Sequence, residues 1–242
     1  MTKCALKSRY RKTIAGFLWV IINPVLTFSV QALIFKNILK VSVDSYYLFL
    51  LSGIIPWIFI TSTLNMTAST FVSNRSVLVA FKLDPWIFIL SQTLDNLITL
   101  IASFLILLLL NGELSAFAGL KIPLFFASVL LLSLATFFSC FFVATLHVFL
   151  RDTQFVLQFI LNLAYFITPV FYPRELVPDN YQWLITFNPL FILIKPFQNI
   201  FWKYDTSIYF YDSLKAAGLI IFIIVLALWY WRSKKNDIYF NI

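Results

Sequence analysis

The sequence predicts an all-α membrane protein that folds as one domain over residues 1–242. Hydrophobic residues make up 61% of the chain and charged residues 12%, and the apolar residues gather in long runs. A chain with so little polar surface cannot coat a soluble globule. The runs lack the alternation of apolar and polar residues that is typical of membrane β-barrels, so we expect them to be helices.

Six of these runs are long enough to cross a bilayer, which takes about 20 residues of helix. The predicted spans are residues 14–35, 46–64, 86–110, 122–150, 155–172 and 214–231. Asp95 is the one acid within them, and because it lies early in a long span beside Gln92 and Asn96, we expect it to contact water. Coupling to protons or sodium ions is disfavoured, since such transporters keep carboxylates inside their spans.

Basic residues cluster before the first predicted span and after the last one. They are Lys3, Lys7, Arg9, Arg11 and Lys12 at one end and Arg232, Lys234 and Lys235 at the other. Cations beside spans mark the cytoplasmic side of a membrane, so both termini are predicted to be cytoplasmic, in agreement with an even number of spans. The net charge of +8 is interpreted as this topology signal, and no nucleic-acid partner is predicted.

A short amphipathic helix is predicted over residues 3–13, lying on the membrane surface. Leu6, Tyr10 and Ile14 recur at every fourth position, and a stripe of cations with the same spacing runs beside them. The span that follows is longer than the apolar region of a cleavable signal, which has about 7–15 residues. We therefore expect this segment to be retained.

Short or re-entrant helices are predicted in the outer region between the fifth and sixth spans, from Pro173 to about Asp212. Residues 189–202 are apolar but too short to span, and Lys195-Pro196 is predicted to break them. On the cytoplasmic side, residues 77–83 predict a short amphipathic helix that ends before Asp84-Pro85.

The sequence offers little chemistry of its own. None of its five glycines is followed by the Lys-Ser/Thr of a phosphate-binding loop, so no ATP site of that kind is predicted. His147 is the one histidine, and no group of Cys, His and carboxylate residues has metal-ligand spacing. We predict no catalytic residue, no metal and no cofactor on this chain, and expect Cys4 and Cys140 to be reduced.

Five motifs carry a resemblance to a known family: RYRKTIAGFLWVIINP (Arg9–Pro24), FLLSGIIPWIF (Phe49–Phe59), NRSVLVAFKLDP (Asn74–Pro85), Arg151-Asp152 and Asn188-Pro189. The chain resembles the permease subunit of type-2 ABC exporters of O-antigen, capsular polysaccharide and teichoic acid. The resemblance implies a homodimer in the bacterial inner membrane and two copies of a separate subunit that binds ATP and magnesium. The implied substrate is a lipid-linked polysaccharide.

Two sets of residues receive roles from this resemblance. The first would pass movement of the ATP-binding subunit to the spans and comprises Arg9, Arg11, Arg75, Lys82, Arg151 and Asp152. The second would line the glycan path and comprises Trp19 with four rings attributed to the fifth span, namely Tyr165, Phe166, Phe171 and Tyr172. Rings are expected there because aromatic faces stack on sugars, although packing between spans explains any single ring as well.

Two alternatives stay open at this point. One is an ABC exporter of a drug or a small lipid. The other is a membrane enzyme acting on lipid-linked sugars, which would need a carboxylate or a cation cluster at the membrane interface. The outer region offers four scattered acids for such a site: Glu175, Asp179, Asp205 and Asp212.

Overall fold

The computed structural model describes residues 45–241 apart from residues 82, 112–116 and 118. The predicted surface helix over residues 3–13 and the first predicted span, residues 14–35, lie outside the described residues, so both stay predictions.

Every regular element among the described residues is helical, which confirms the all-α class, whereas the count of six spans stays a prediction. The α-helices are α1 (Tyr46–Thr67), α2 (Thr70–Ser73), α3 (Arg75–Phe81), α4 (Trp86–Asn111), α5 (Lys121–Phe149), α6 (Thr153–Ile167), α7 (Gln182–Thr186), α8 (Pro189–Phe201) and α9 (Thr206–Asn241). Two short 3₁₀ helices, Arg174–Leu176 and Asp179–Tyr181, precede α7.

Four of these helices, α1, α4, α5 and α9, are long and apolar enough to cross a membrane. The second, third and fourth predicted spans are therefore confirmed as helices, with bounds within three residues of the prediction. A fifth span is possible by length and composition if Asp179–Thr186 and Pro189–Phe201 count as one bent element. The predicted helix before Asp84-Pro85 is present as α3.

The fifth predicted span, residues 155–172, is a shorter helix than expected. Helix α6 has 15 residues, which is about 22 Å at 1.5 Å per residue and less than a hydrocarbon core of about 30 Å. It ends because Thr168 has extended backbone, with φ −82° and ψ 126°, as a residue preceding proline favours. Phe171 and Tyr172 therefore lie beyond the helix, and their assignment to the fifth span is wrong.

The last helix is longer than its predicted span of residues 214–231. Helix α9 has 36 residues, and it begins early because the Asp205 carboxylate accepts a hydrogen bond from the Ile208 N–H (3.0 Å), a cap that satisfies one of the first free N–H groups. The predicted outer loop to Asp212 is accordingly too long, and Asp212 lies inside the helix.

Helix α8 runs through Lys195-Pro196 without interruption, so the predicted break at that point is wrong. Proline removes one N–H from the helix, a loss that buried packing can offset. The chain instead bends before α8, by 91° between Asp179–Thr186 and Pro189–Phe201. Asn188 caps α8 and Pro189 occupies its first turn, the positions that asparagine and proline favour.

Helices α1, α5 and α9 run in one direction and α4 and α6 in the other, so the helix ends meet at two levels. The first level, called the Tyr46 end, contains the starts of α1, α5 and α9 and the end of α6. There the Tyr46 hydroxyl donates a hydrogen bond to the Phe171 carbonyl (2.6 Å). The Tyr209 hydroxyl likewise donates to the Leu124 carbonyl (2.8 Å).

The second level, called the Trp231 end, contains the end of α1, the start of α4, the end of α5 and the later part of α9. The Trp231 ring lies 4.7 Å from the Phe141 ring, and Phe141 lies 6.3 Å from Phe71 of α2. The Thr70 hydroxyl donates to Gln92 Oε1 (3.1 Å) and joins α2 to α4.

Stacked aromatic rings hold α8 in the core at the Tyr46 end. Phe104 of α4 stacks on Phe197 and Phe201 of α8, with ring centres 5.4 and 4.7 Å apart. Phe125 of α5 meets Phe201 edge-on at 5.8 Å. Such pairs contribute roughly 0.5–1.5 kcal/mol each beyond their buried area, so α8 is anchored between α4 and α5.

The α1–α4 contact contains polar groups. Asn96 Nδ2 donates a hydrogen bond to Thr63 Oγ1 (3.0 Å). Asp95 beside it is 4% exposed, so the expectation that it contacts water is wrong. Its side of α4 packs inside the protein. The sequence did not predict this burial, because apolar neighbours along a helix do not determine which polar residue faces inward.

Candidate translocation groove

An open groove of about 420 Å³ lies between α1 and α6. Trp57, Thr61 and Asn65 line one wall, and they share a face of α1 because residues four apart lie above one another on a helix. The other wall belongs to α6 and consists of Leu161, Asn162, Tyr165 and Phe166. The described lining residues therefore combine aromatic rings, amides and the hydroxyls of Thr61 and Tyr165, and none of them is charged.

Tyr165 joins the two walls of the groove. Its ring lies 5.6 Å from the Trp57 ring at an interplanar angle of 56° and 5.5 Å from the Phe166 ring at 78°. Trp57 is buried, whereas Phe166 is 68% exposed. Packing thus fixes the α1 wall at Trp57, whereas the α6 wall exposes the Phe166 ring at the surface of the chain.

The two amides are available for hydrogen bonding. Within the described part of the chain, the side chains of Asn65 and Asn162 form no hydrogen bond, whereas the Thr61 hydroxyl donates to the Trp57 carbonyl (3.0 Å). A side-chain amide offers two N–H donors and a carbonyl acceptor. A ligand that carries hydroxyl groups could use all of them.

Phe171 and Tyr172, the other predicted path residues, do not line the groove. Phe171 is buried behind it, with its ring 5.3 Å from that of Tyr165. The Tyr172 hydroxyl donates to the carbonyls of Phe166 (3.1 Å) and Ile167 (3.0 Å), two groups of the last helical turn that lack partners within the helix. Phe171 and Tyr172 thus support the end of α6. The fifth predicted path residue, Trp19, lies outside the described residues.

Four residues of the groove lining were not predicted from the sequence: Trp57, Thr61, Asn65 and Asn162. A signal for the first three exists, because a ring, a hydroxyl and an amide recur at every fourth position of α1. The sequence alone does not show that this stripe faces α6.

The predicted coupling residues that the structure describes lie at the Trp231 end. Arg75 begins α3, Arg151 and Asp152 connect α5 to α6, and all three are exposed. Arg9, Arg11 and Lys82 lie outside the described residues. The coupling role itself stays a prediction.

Three of the four acids considered for an enzyme serve structural roles, and the fourth, Glu175, is exposed. Asp179 accepts from Gln182 Nε2 (2.9 Å), Asp205 caps α9, and Asp212 accepts from Lys195 Nζ (2.9 Å). Among the described residues, no group of three His, Cys, Asp or Glu side chains could hold a metal ion. His147 and the free thiol of Cys140 are buried.

This fold defines a multi-pass helical membrane protein with an uncharged groove along two of its helices. The chain belongs to the ABC-2 type transporter family, whose family model matches residues 1–202. It is therefore a transporter permease subunit by family.

Several curated proteins are similar to this chain over most of their length. The O-antigen export system permease protein RfbA of Klebsiella pneumoniae is 26% identical over 234 residues, which cover 94% of this chain and 88% of that protein. RfbA of Myxococcus xanthus is 27% identical over 201 residues, which cover 82% of this chain and 77% of that protein. The polysialic acid transport protein KpsM of Escherichia coli is 26% identical over 191 residues, which cover 76% of this chain and 73% of that protein.

Proposed function

We propose that this chain is the membrane subunit of an ATP-driven exporter that moves a lipid-linked polysaccharide across the bacterial inner membrane. Its family and the names of its relatives support this function. The observation in the structure that carries it is the groove between α1 and α6, whose rings and free amides suit a sugar chain.

The chemistry of the groove fits a ligand that must move rather than stay. The apolar face of a sugar can rest on the rings of Tyr165 and Phe166, and its hydroxyls can exchange hydrogen bonds with Asn65 and Asn162. Each contact is weak, and similar contacts recur along a polysaccharide. A groove without charge adds no single strong contact that would hold the chain in place.

A second copy of this chain would close the groove. Helix α6 exposes a row of large rings, Phe155, Phe159 and Phe166, along the open side of the groove. In the proposed homodimer, the two α6 helices lie near the two-fold axis, and the two grooves form one path. Symmetric pairing of this kind is the common arrangement for homo-oligomers.

The Trp231 end is assigned to the cytoplasm, because Arg151, Arg232, Lys234 and Lys235 lie there. Two copies of a separate subunit would bind ATP and magnesium and dock at this end. Exposed Phe81 of α3 and the neighbouring cations offer a mixed apolar and basic surface for that contact. ATP-driven closure of the docked subunits would then widen the path between the permeases.

Export by cells that carry groove variants tests this function. Tyr165→Ala and Asn162→Leu should slow the appearance of polysaccharide at the cell surface severalfold, while lipid-linked polysaccharide accumulates inside. Phe222→Ala is the matched control, because Phe222 is an exposed ring on α9 away from the groove. All variants must reach the membrane in equal amounts. Normal export by both groove variants contradicts the proposal.

Cross-linking tests the homodimer separately. In a background of Cys4→Ser and Cys140→Ser, Phe159→Cys should form a disulfide-linked dimer under mild oxidation, whereas Phe222→Cys should not. Equal cross-linking of both variants, or none in a preparation that supports export, contradicts the placement of α6 at the dimer interface.

A further inference from the structure

A second cavity, of about 300 Å³, opens at the Tyr46 end between the segment after α6, α8 and the start of α9. A smaller cavity of about 20 Å³ adjoins it, and both are lined by Arg174, Phe191 and Lys195. We call the two together the basic cleft. It is separate from the groove, since none of the residues that the structure describes lines both.

Cations outnumber acids in the basic cleft. Among the described residues, its lining contains four cations, Arg174, Lys195, Lys203 and Lys215, and two acids, Glu175 and Asp212. Lys195 forms an ion pair with Asp212, with Nζ 2.9 Å from Oδ1. The remaining cations exceed the one remaining carboxylate, that of exposed Glu175, so the cleft favours an anion.

Arg174 provides the best-positioned positive charge. Its guanidinium donates hydrogen bonds to Gln182 Oε1 (3.4 Å) and Thr186 Oγ1 (3.2 Å), which are neutral acceptors. These bonds orient the side chain without neutralising it. Both bonds leave from one terminal nitrogen, so Nε and the other terminal nitrogen keep three N–H donors for an anion such as phosphate. Lys203 also lines the larger cavity, with Nζ 4.5 Å from the centre of the Trp202 ring.

A buried acceptor in the same cleft points to a ligand that also carries hydroxyl groups. Asp212 is 4% exposed, and its second oxygen, Oδ2, has no hydrogen-bond partner. A buried carboxylate oxygen requires a donor, and the small cavity beside it has room for one water-sized group. Gln198, Asn199 and the Trp202 ring line the larger cavity and are typical sugar-binding side chains.

We propose that the basic cleft binds a sugar that carries a phosphate group, with the phosphate on Arg174 and Lys203 and sugar hydroxyls toward Asp212, Gln198 and Asn199. The inference rests on the proposed function only for the source of that phosphate. The lipid-linked substrate supplies one between lipid and glycan, and a phosphorylated sugar within the chain supplies another.

Binding by the purified full chain in nanodiscs of zwitterionic lipid tests the proposal, without the ATP-binding subunit. The probes are a polyprenyl phosphate, a hexose 1-phosphate and inorganic phosphate, and retained ligand is measured by native mass spectrometry. Arg174→Gln and Lys203→Gln should each weaken binding about tenfold, the loss expected for one charge-assisted hydrogen bond. Arg174→Lys should retain part of the affinity, and Glu175→Gln should raise it.

Lys121→Gln is the matched control, because Lys121 is a cation at the same end that contacts the Tyr204 ring outside the cleft. Preference for the polyprenyl phosphate identifies a lipid-borne phosphate, and preference for hexose 1-phosphate identifies a phosphate within the glycan. Binding of all three probes that is unchanged by both glutamine variants, with melting temperatures preserved, overturns the proposal. Phosphate binding without polysaccharide export would refute the proposed function and leave the cleft's assignment intact.

Discussion

Replacing Asn188 by alanine should destabilise the bent pair of helices, Asp179–Thr186 and Pro189–Phe201, more than replacing an exposed polar residue there. Asn188 Oδ1 accepts hydrogen bonds from the N–H groups of Leu190 (2.9 Å) and Phe191 (3.2 Å), the first turn of α8. Its Nδ2 donates to buried Thr168 Oγ1 (2.9 Å) just after α6. One side chain thus caps α8 and fixes that helix to the end of the groove wall.

The magnitude follows from these three bonds. Loss of an asparagine cap costs about 1 kcal/mol, and loss of the donor to a buried hydroxyl costs roughly 1–2 kcal/mol more. Asn188→Ala should therefore lower the free energy of unfolding by about 2–3 kcal/mol. Asn188→Asp should cost about half of that, because aspartate retains the acceptor for the helix N–H groups and lacks the donor to Thr168.

Equilibrium unfolding of the purified protein in mixed micelles, followed by circular dichroism at increasing mole fraction of denaturing detergent, measures this difference. Asn180→Ala is the control, because Asn180 is exposed in a 3₁₀ turn of the same region, and exposed changes usually stay within about 0.5 kcal/mol. The reasoning is refuted if Asn188→Ala matches the wild type, or if aspartate at this position is as harmful as alanine.

Three further substitutions test the packing at the Tyr46 end. Gly53→Leu should sharply lower the melting temperature and the yield of folded protein, because a Cβ at this position would lie 2.7 Å from Gln198 Nε2 and 3.3 Å from a backbone oxygen. Asp212→Asn should destabilise the protein by roughly 1–3 kcal/mol, since it leaves Lys195 without its buried partner. Tyr46→Phe should cost about 1 kcal/mol through loss of its bond to a backbone carbonyl after α6. Thermal unfolding in detergent measures all three.

Each of these substitutions has a control within the chain. Gly218→Leu should be tolerated, because nothing lies within 4 Å of a Cβ at that position. The double variant of Lys195→Met with Asp212→Leu should recover most of the stability, because apolar side chains can replace a buried ion pair. Tyr181→Phe should have no measurable effect, because Tyr181 is exposed. Equal losses in a variant and its control would show that the named contact is not the cause.

The long helices could be predicted from the sequence because apolar runs of spanning length have few other structures available in a membrane. The position of the bend before α8 could not be predicted as well. Proline at 196 suggested a break, yet burial of α8 among rings keeps that helix continuous. The informative local signal was Asn188-Pro189, a cap followed by a first-turn proline.

Two of the five residues predicted to line the glycan path, Tyr165 and Phe166, line the groove, and their part in transport stays a prediction. The α1 wall was not predicted, because it faces the groove only through the packing of α1 beside α6, which joins segments about one hundred residues apart in the chain. Asp95 was misjudged for the same reason, because burial depends on which side of α4 faces α1.

The most direct test of the proposed function is to purify the chain in mild detergent from its native membranes and identify the proteins that accompany it by quantitative mass spectrometry. The account predicts an ATP-binding subunit with a phosphate-binding loop, present at one copy for each copy of this chain. A folded and monodisperse preparation that reproducibly lacks such a subunit would contradict it.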